Sequence, residues 1–309
     1  MLRHTVFAFL ISTCLALSAW AQAPVDPPKP EEAPAPAPPP VEIGKVIEGY
    51  IANLSSSDPI LATEAYDALR EIGSPAVLPL ATKLQAKETS ADARYMICDL
   101  LGELRAATAV QVLLPILKDP QEHVSSVASA AARALGLLGD ASAIEPLREA
   151  LKSADMELQY EAIRALGNLR AVAAAPDLRK LVASENKPTA YERYLSCATV
   201  EALGRMKDKA SVKEIAKWIK SPDTERGTET SFSHYAIRAL ESITDQNFGS
   251  LTTSNDDRAK TEDAWAKWWE ENKTKKEYGG VEEPKPVEPP KDGAEPPKDG
   301  PQPPKDPPK

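Results

Sequence analysis

His123 and His234 are the only histidines beyond residue 4, and three repeats of a helical motif separate them. A histidine-based metal site or a Ser-His-Asp triad needs such groups to converge on one pocket. The chain has no HExxH, no GxSxG and no glycine-rich phosphate loop, and its carboxylates are scattered. The residues that do recur in register are polar and aromatic. Counted back from Leu69, Leu101, Leu135, Leu166, Leu203 and Leu240, the sixth position holds Thr63, Tyr95, Ser129, Tyr160, Cys197 and His234. The second position holds Asp67, Asp99, Arg133, Arg164, Glu201 and Arg238. Tyrosines along one edge could anchor a peptide or a partner helix. The charged row could form a ladder in which Asp99 faces Arg133 and Glu201 sits between Arg164 and Arg238. Exposed pairs of that kind contribute only ~0–1 kcal/mol each.

The six leucines sit in a recurring motif that must position these rows. It reads RALGLLG at 133–139, RALGNLR at 164–170 and EALGRMK at 201–207, with weaker copies at 67–73, 99–105 and 238–244. The successive spacings are 32, 34, 31, 37 and 37 residues. Upstream of each leucine, apolar or small residues fall eight, four and three positions earlier, which is one stripe of an α-helix. The residue just before the leucine is alanine in five of the six copies, predicting close backbone approach between neighbouring helices. A second helix follows each of the first five motifs. Its stripe is Val77-Leu80-Leu84, Val110-Leu113-Leu117, Ile144-Leu147-Leu151, Ala175-Leu178-Val182 and Val212-Ile215-Ile219. Gly73 and Gly139 stand where a left-handed cap belongs, and Pro79 and Pro146 near the expected start of a second helix. A two-helix unit of this period cannot bury its apolar face alone, so the copies must stack. The expected fold is all-α, a solenoid of about six two-helix repeats.

The two longest spacings place extra residues between one repeat's second helix and the next repeat's first, around 186–188 and 223–230. Loops lengthened on one rim of a rigid scaffold often carry binding. The expected partner site is therefore Lys187, Tyr191, Arg193, Tyr194, Arg226 and His234.

The ends differ from the middle. Residues 1–21 read as a secretory signal, with a basic start at Arg3, an apolar stretch and the small-x-small run Ala19-Trp20-Ala21. Residues 22–40 and 274–309 read as proline-rich disordered segments flanking a repeat region at 41–273 with helical caps. A capping helix is expected at Val41 to Leu54 and a last helix at Glu262 to Lys273. In the latter, Trp265, Trp268 and Trp269 would close the open end. Net charge is −9, which argues against the basic stripe that sequence-independent nucleic-acid binding needs. After the leader no segment is apolar enough to span a bilayer. Cys98 falls in the apolar register, and Cys197 is several stacked units away, so no disulfide is expected.

The segment RALGLLGDASAIEPLREALK resembles HEAT repeats of the short type found in phycobilisome lyases, and the likeness extends over about residues 44–245. ITDQNFG followed by AWAKWWEENK resembles the C-terminal closure of exported bacterial HEAT proteins. The resemblance implies a right-handed α-α superhelix and is nearly silent on function, because HEAT arrays serve many roles. Lyase chemistry of that family belongs with cytoplasmic pigment proteins, whereas this chain begins like an exported one. The expectation is thus a non-catalytic exported scaffold, periplasmic or secreted, that binds a protein or peptide and needs no cofactor or metal. A structural spacer and a lyase-like enzyme are the alternatives.

Overall fold

The structure, a computed structural model, describes residues 40–119, 126–182, 190–220, 231–251 and 254–279. The expected signal peptide and most of both expected proline-rich segments lie outside the described residues. Among the described residues there are thirteen α-helices and no strand. A first helix, α1 (Pro40–Asn53), covers the start of the array. The motif helices are α2 (Pro59–Ile72), α4 (Ala91–Glu103), α6 (Ser126–Leu138), α8 (Met156–Asn168), α10 (Ala190–Met206) and α12 (Phe232–Thr244). The second helices are α3 (Ser74–Gln85), α5 (Val110–Lys118), α7 (Ile144–Ala150), α9 (Ala175–Val182) and the short α11 (Val212–Ala216). The last helix, α13 (Asn255–Asn272), begins seven residues before the expected Glu262.

Local signals set these boundaries. Asp58, Ser90, Asp155 and Ser231 cap four motif helices, each accepting a hydrogen bond from a backbone N–H of the first turn. α3 starts on Ser74-Pro75, so Pro79 lies inside the helix and not at its start. A 3-10 turn precedes each of α5, α7, α9 and α11, tightening the passage from motif helix to second helix.

All six reference leucines are fully buried, and so are most of the second-helix stripes. A buried leucine contributes ~1.5–3 kcal/mol relative to an exposed one, so this column is a main source of stability. From α4 to α12 the motif helices pack closely on one another, whereas second helices touch only sparsely. The motif helices thus make one face of the array, the inner face, and the second helices the other.

The inner spacing is set by paired small residues. The glycine after the reference leucine in one repeat meets the alanine before the leucine in the next: Gly102 on Ala134, Gly136 on Ala165, Gly167 on Ala202, and Gly204 on Ala239. A Cβ on any of these glycines would lie 2.6–2.9 Å from the facing Cα. Closure at the far end is aromatic. Trp265 is fully buried, edge-on to Phe248 and to Trp268, and Trp268 in turn meets Tyr278. Described structure runs past Lys273 to a 3-10 turn, Lys276–Tyr278, that folds back on the one at Lys209–Ser211.

Candidate functional site

The inner face brings the two sequence rows together around one cation. Arg133, on α6, donates from Nη2 to the Tyr95 hydroxyl at 2.7 Å, and its Nε lies 2.9 Å from Asp99 Oδ1. Its Nη1 is 3.6 Å from Glu161 on α8, so one guanidinium bridges three repeats. Arg164, one turn along α8, lies 3.5 Å from the same Glu161 Oε1. Both arginines also lie over tyrosine rings, Arg133 over Tyr95 at 5.4 Å and Arg164 over Tyr160 at 5.5 Å. Tyr160 stacks on Tyr194 of α10, with centroids 4.2 Å apart and planes 18° from parallel.

This cluster is electrostatically loaded. The Glu161 side chain is only 3% exposed, and its Oε2 is buried without a hydrogen-bond partner. Burial raises its pKa above the ordinary carboxylate value, against the opposing pull of Arg133 and Arg164. Burial likewise raises Asp99 despite Arg133. Burial works against the charge on Arg133, but Tyr95, Asp99 and Glu161 outweigh it and hold the guanidinium protonated. Burial raises the Tyr194 hydroxyl too, aided by its hydrogen bond with Tyr160 and by the charges of Glu157 and Glu161. Two carboxyl groups that bind protons more readily than usual, a fixed cation and exposed aromatic faces thus share one surface. Such a surface can bind anionic groups, stack flat rings and exchange a proton. Further along, Glu201, Arg205, His234, Tyr235, Arg238 and Ser242 line a cavity of about 310 Å³ between α10 and α12.

The expected ladder forms only in part. Asp99 pairs with Arg133, but Glu201 is held at 2.6 Å by Arg205 on its own helix rather than between Arg164 and Arg238. Of the expected partner-site residues, Lys187, Arg226 and the side chain of Tyr191 lie outside the described residues. Arg193 is half-buried, and Tyr194 turns toward Tyr160 of the preceding repeat. His234 borders the α10–α12 cavity beside Tyr235. Glu161 was missed because it lies five positions before Leu166, between the rows that the motif marks. The equivalent position in the other repeats is Glu64, Met96, Ala130, Ala198 and Tyr235, so the sequence alone does not set Glu161 apart from the exposed Glu64. Among the described residues no group of three or more His, Cys, Asp or Glu side chains could hold a metal. No described helix is long and apolar enough to cross a membrane. Cys98 is buried and Cys197 half-buried, and no disulfide joins them.

HEAT repeats match residues 47–128 and 125–193. The phycocyanobilin lyase subunit alpha of Picosynechococcus sp. (strain ATCC 27264 / PCC 7002 / PR-6) is 31% identical over 167 residues, which is 50% of this chain and 59% of that protein. The chain thus spans less than two thirds of the curated relative it matches. Among solved structures, the complex of CpcE and CpcF of phycocyanin lyase from Nostoc sp. PCC7120 aligns with a TM-score of 0.42 and 26% identity, covering 71% of each chain. Human deoxyhypusine hydroxylase aligns with a TM-score of 0.37 and 17% identity, over 75% of this chain and 98% of that one. The likeness to a lyase subunit overturns the expectation of a non-catalytic scaffold and of no enzyme activity. The expectation relied on missing histidine and serine motifs and on the export-like start, and neither excludes the activity of a HEAT-repeat relative. The chain carries HEAT repeats over residues 47–193, and they are similar to those of a phycocyanobilin lyase subunit.

Proposed function

We propose that this chain has a lyase-type role, holding a bilin-type open-chain tetrapyrrole on its inner face for transfer to or from a protein. The observation that carries this reading is the 31% identity to a phycocyanobilin lyase subunit over 167 residues. The cluster around Arg133 fits such a ligand on its own chemistry. Arg164 is exposed and offers a guanidinium to an anionic carboxylate. Tyr194, half exposed, presents a ring face to a flat conjugated system. Glu161 lies buried beneath them and fixes Arg164 at 3.5 Å. A protein acceptor and a second subunit are the partners this reading requires. With the leader read in residues 1–21, the role would be exercised outside the cytoplasm.

The test uses the chain from residue 22 onward and phycocyanobilin as the probe. Binding is expected to shift and sharpen the pigment's visible absorption band. Removing both contacts, with Arg164→Ala and Tyr194→Ala, is expected to weaken binding by at least tenfold, about 1.4 kcal/mol. An unchanged spectrum with excess folded protein would refute the proposal. Equal affinity in the double variant would place the pigment elsewhere on the array.

A further inference from the structure

A second charged surface lies at the turn edge of the array, where the motif helices end. The fourth residue after the reference leucine is left-handed in the first five repeats, as Gly73, Arg105, Gly139, Arg170 and Lys207. One backbone conformation at one repeat position sets these residues along a single edge, in repeat order. Arg105, Arg170 and Lys207 line a groove of about 820 Å³ there, together with Arg205. No carboxylate among the described residues lines it, in a chain whose net charge is −9. Lys207 is held at 2.7 Å by Asp245, and Arg205 at 2.6 Å by Glu201. Arg105 and Arg170 are exposed and form no ion pair with a described residue. A long side chain at φ 49° costs stability that glycine spares. The helix C-terminus beside each favours a cation, but it does so equally at Gly73 and Gly139.

The spacing of these cations selects the occupant. Packed helices lie ~8–10 Å apart, so Arg105 and Arg170, two repeats apart, are separated by about 16–20 Å, with Lys207 one repeat further. A single phosphate or carboxylate cannot neutralise cations that far apart. A row of anionic groups on an extended chain can, because at ~3.3 Å per residue every third side chain advances by about one repeat. Leu137 and Val172, the latter 61% exposed, make the wall between the cations partly apolar. No aromatic ring among the described residues lines the groove, so unpaired bases have nothing there to stack on. We propose that this groove binds an extended acidic segment of a protein partner. Its carboxylates pair with Arg105, Arg170 and Lys207, and its small apolar side chains rest on Val172. The groove shares no residue with the cluster of Arg133, Glu161, Tyr160 and Tyr194, so it stands whether or not a pigment binds on the inner face.

The experiment uses the full chain and a fluorescent peptide of about ten residues, with glutamate at every third position and valine or serine between. Anisotropy is expected to show saturable binding that weakens as salt rises. The same peptide with glutamine in place of glutamate is expected not to bind. Arg105→Gly with Arg170→Gly is expected to weaken binding by about tenfold or more. Because glycine relieves the left-handed turns, that variant should melt no lower than the native chain. Lys45→Ala with Lys118→Ala removes the same charge from exposed positions that do not line the groove, and affinity is expected to hold. Absence of binding would overturn the proposal. An equal loss in both double variants would do so too, since it would mean unspecific attraction. A single-stranded oligonucleotide that binds as tightly as the peptide would overturn it in favour of a nucleic-acid surface. Self-association without peptide, lost in the glycine variant, would overturn it in favour of a second copy of the chain.

Discussion

The middle of the array and its C-terminal closure solve the same packing problem with opposite materials. Between repeats two and six, helices meet backbone to backbone, with Gly102, Gly136, Gly167 and Gly204 each seated on an alanine. At the closure, where no further repeat supplies a matching face, Trp265, Phe248, Trp268 and Tyr278 fill the space with rings. The seam gains its energy from close contact over many small atoms, and it tolerates no added volume. The closure gains its energy from a few large side chains, so it should be sensitive to their removal. A repeat interface is specified by what is absent from it, a cap by what is added.

Removing the largest ring tests the closure first. Trp265→Ala is expected to cost about 3–5 kcal/mol, since a fully buried tryptophan leaves a cavity its neighbours cannot refill. The loss should appear in chemical denaturation as early unfolding of α13 with the inner repeats still folded, as a quasi-one-dimensional array allows. A single concerted transition shifted as a whole would erase the distinction between cap and seam.

The seam is tested by adding one methyl group. In an ordinary helix interior, Gly→Ala stabilises by roughly 0.5–1 kcal/mol. At Gly136 the new Cβ would fall 2.6 Å from the Ala165 Cα, in backbone that cannot step aside. Gly136→Ala is therefore expected to destabilise by about 1–3 kcal/mol. Gly44 of α1 is the control, because nothing lies within 4 Å of its would-be Cβ. Gly44→Ala is expected to stabilise by roughly 0.5–1 kcal/mol. Equal signs for the two changes, measured by thermal melts side by side, would show that the seam is looser than its geometry.

The architecture was legible because its signals repeat. Each leucine, its neighbouring alanine and the following glycine announce a helix interface in every copy, and the stripe of each second helix does the same. The helix starts were less legible. α3 begins on Ser74-Pro75, so Pro79 misleads, and Ser254 caps α13 about three turns before the tryptophans draw the eye. The site was the least legible part, since its signals occur once. Glu161 shares its register with Glu64, and only the fold buries the one and exposes the other. The outer pairs Arg148–Asp177 and Arg179–Asp208 share a spacing of 29 residues that only the fold makes adjacent. Tyr194 stands on a lengthened spacing that suggested an outward rim, yet α10 turns it back onto Tyr160.

The mildest change bears on whether the inner face differs from both packing regions in carrying proton-active groups. The ordinary value for a glutamate is 4.5, and burial lifts Glu161 above it. Between those two values the folded chain holds a proton that the unfolded chain has released. Stability must therefore fall as pH rises through that window and level off above the folded value. Glu161→Gln removes this contribution, because an amide has the same charge in both states. The difference in melting temperature, variant minus native, is then expected to climb as pH rises from 4.5 and to become flat once native Glu161 is ionised. Asp99, raised in the same direction, keeps its own share of the slope in the variant, and adding Asp99→Asn should remove that share as well. A difference that instead fell with pH would mean that Arg133 and Arg164 stabilise the charged carboxylate more than burial penalises it. Glu161 would then be a structural ion pair like those on the outer helices, and the inner face would lose its claim to chemistry.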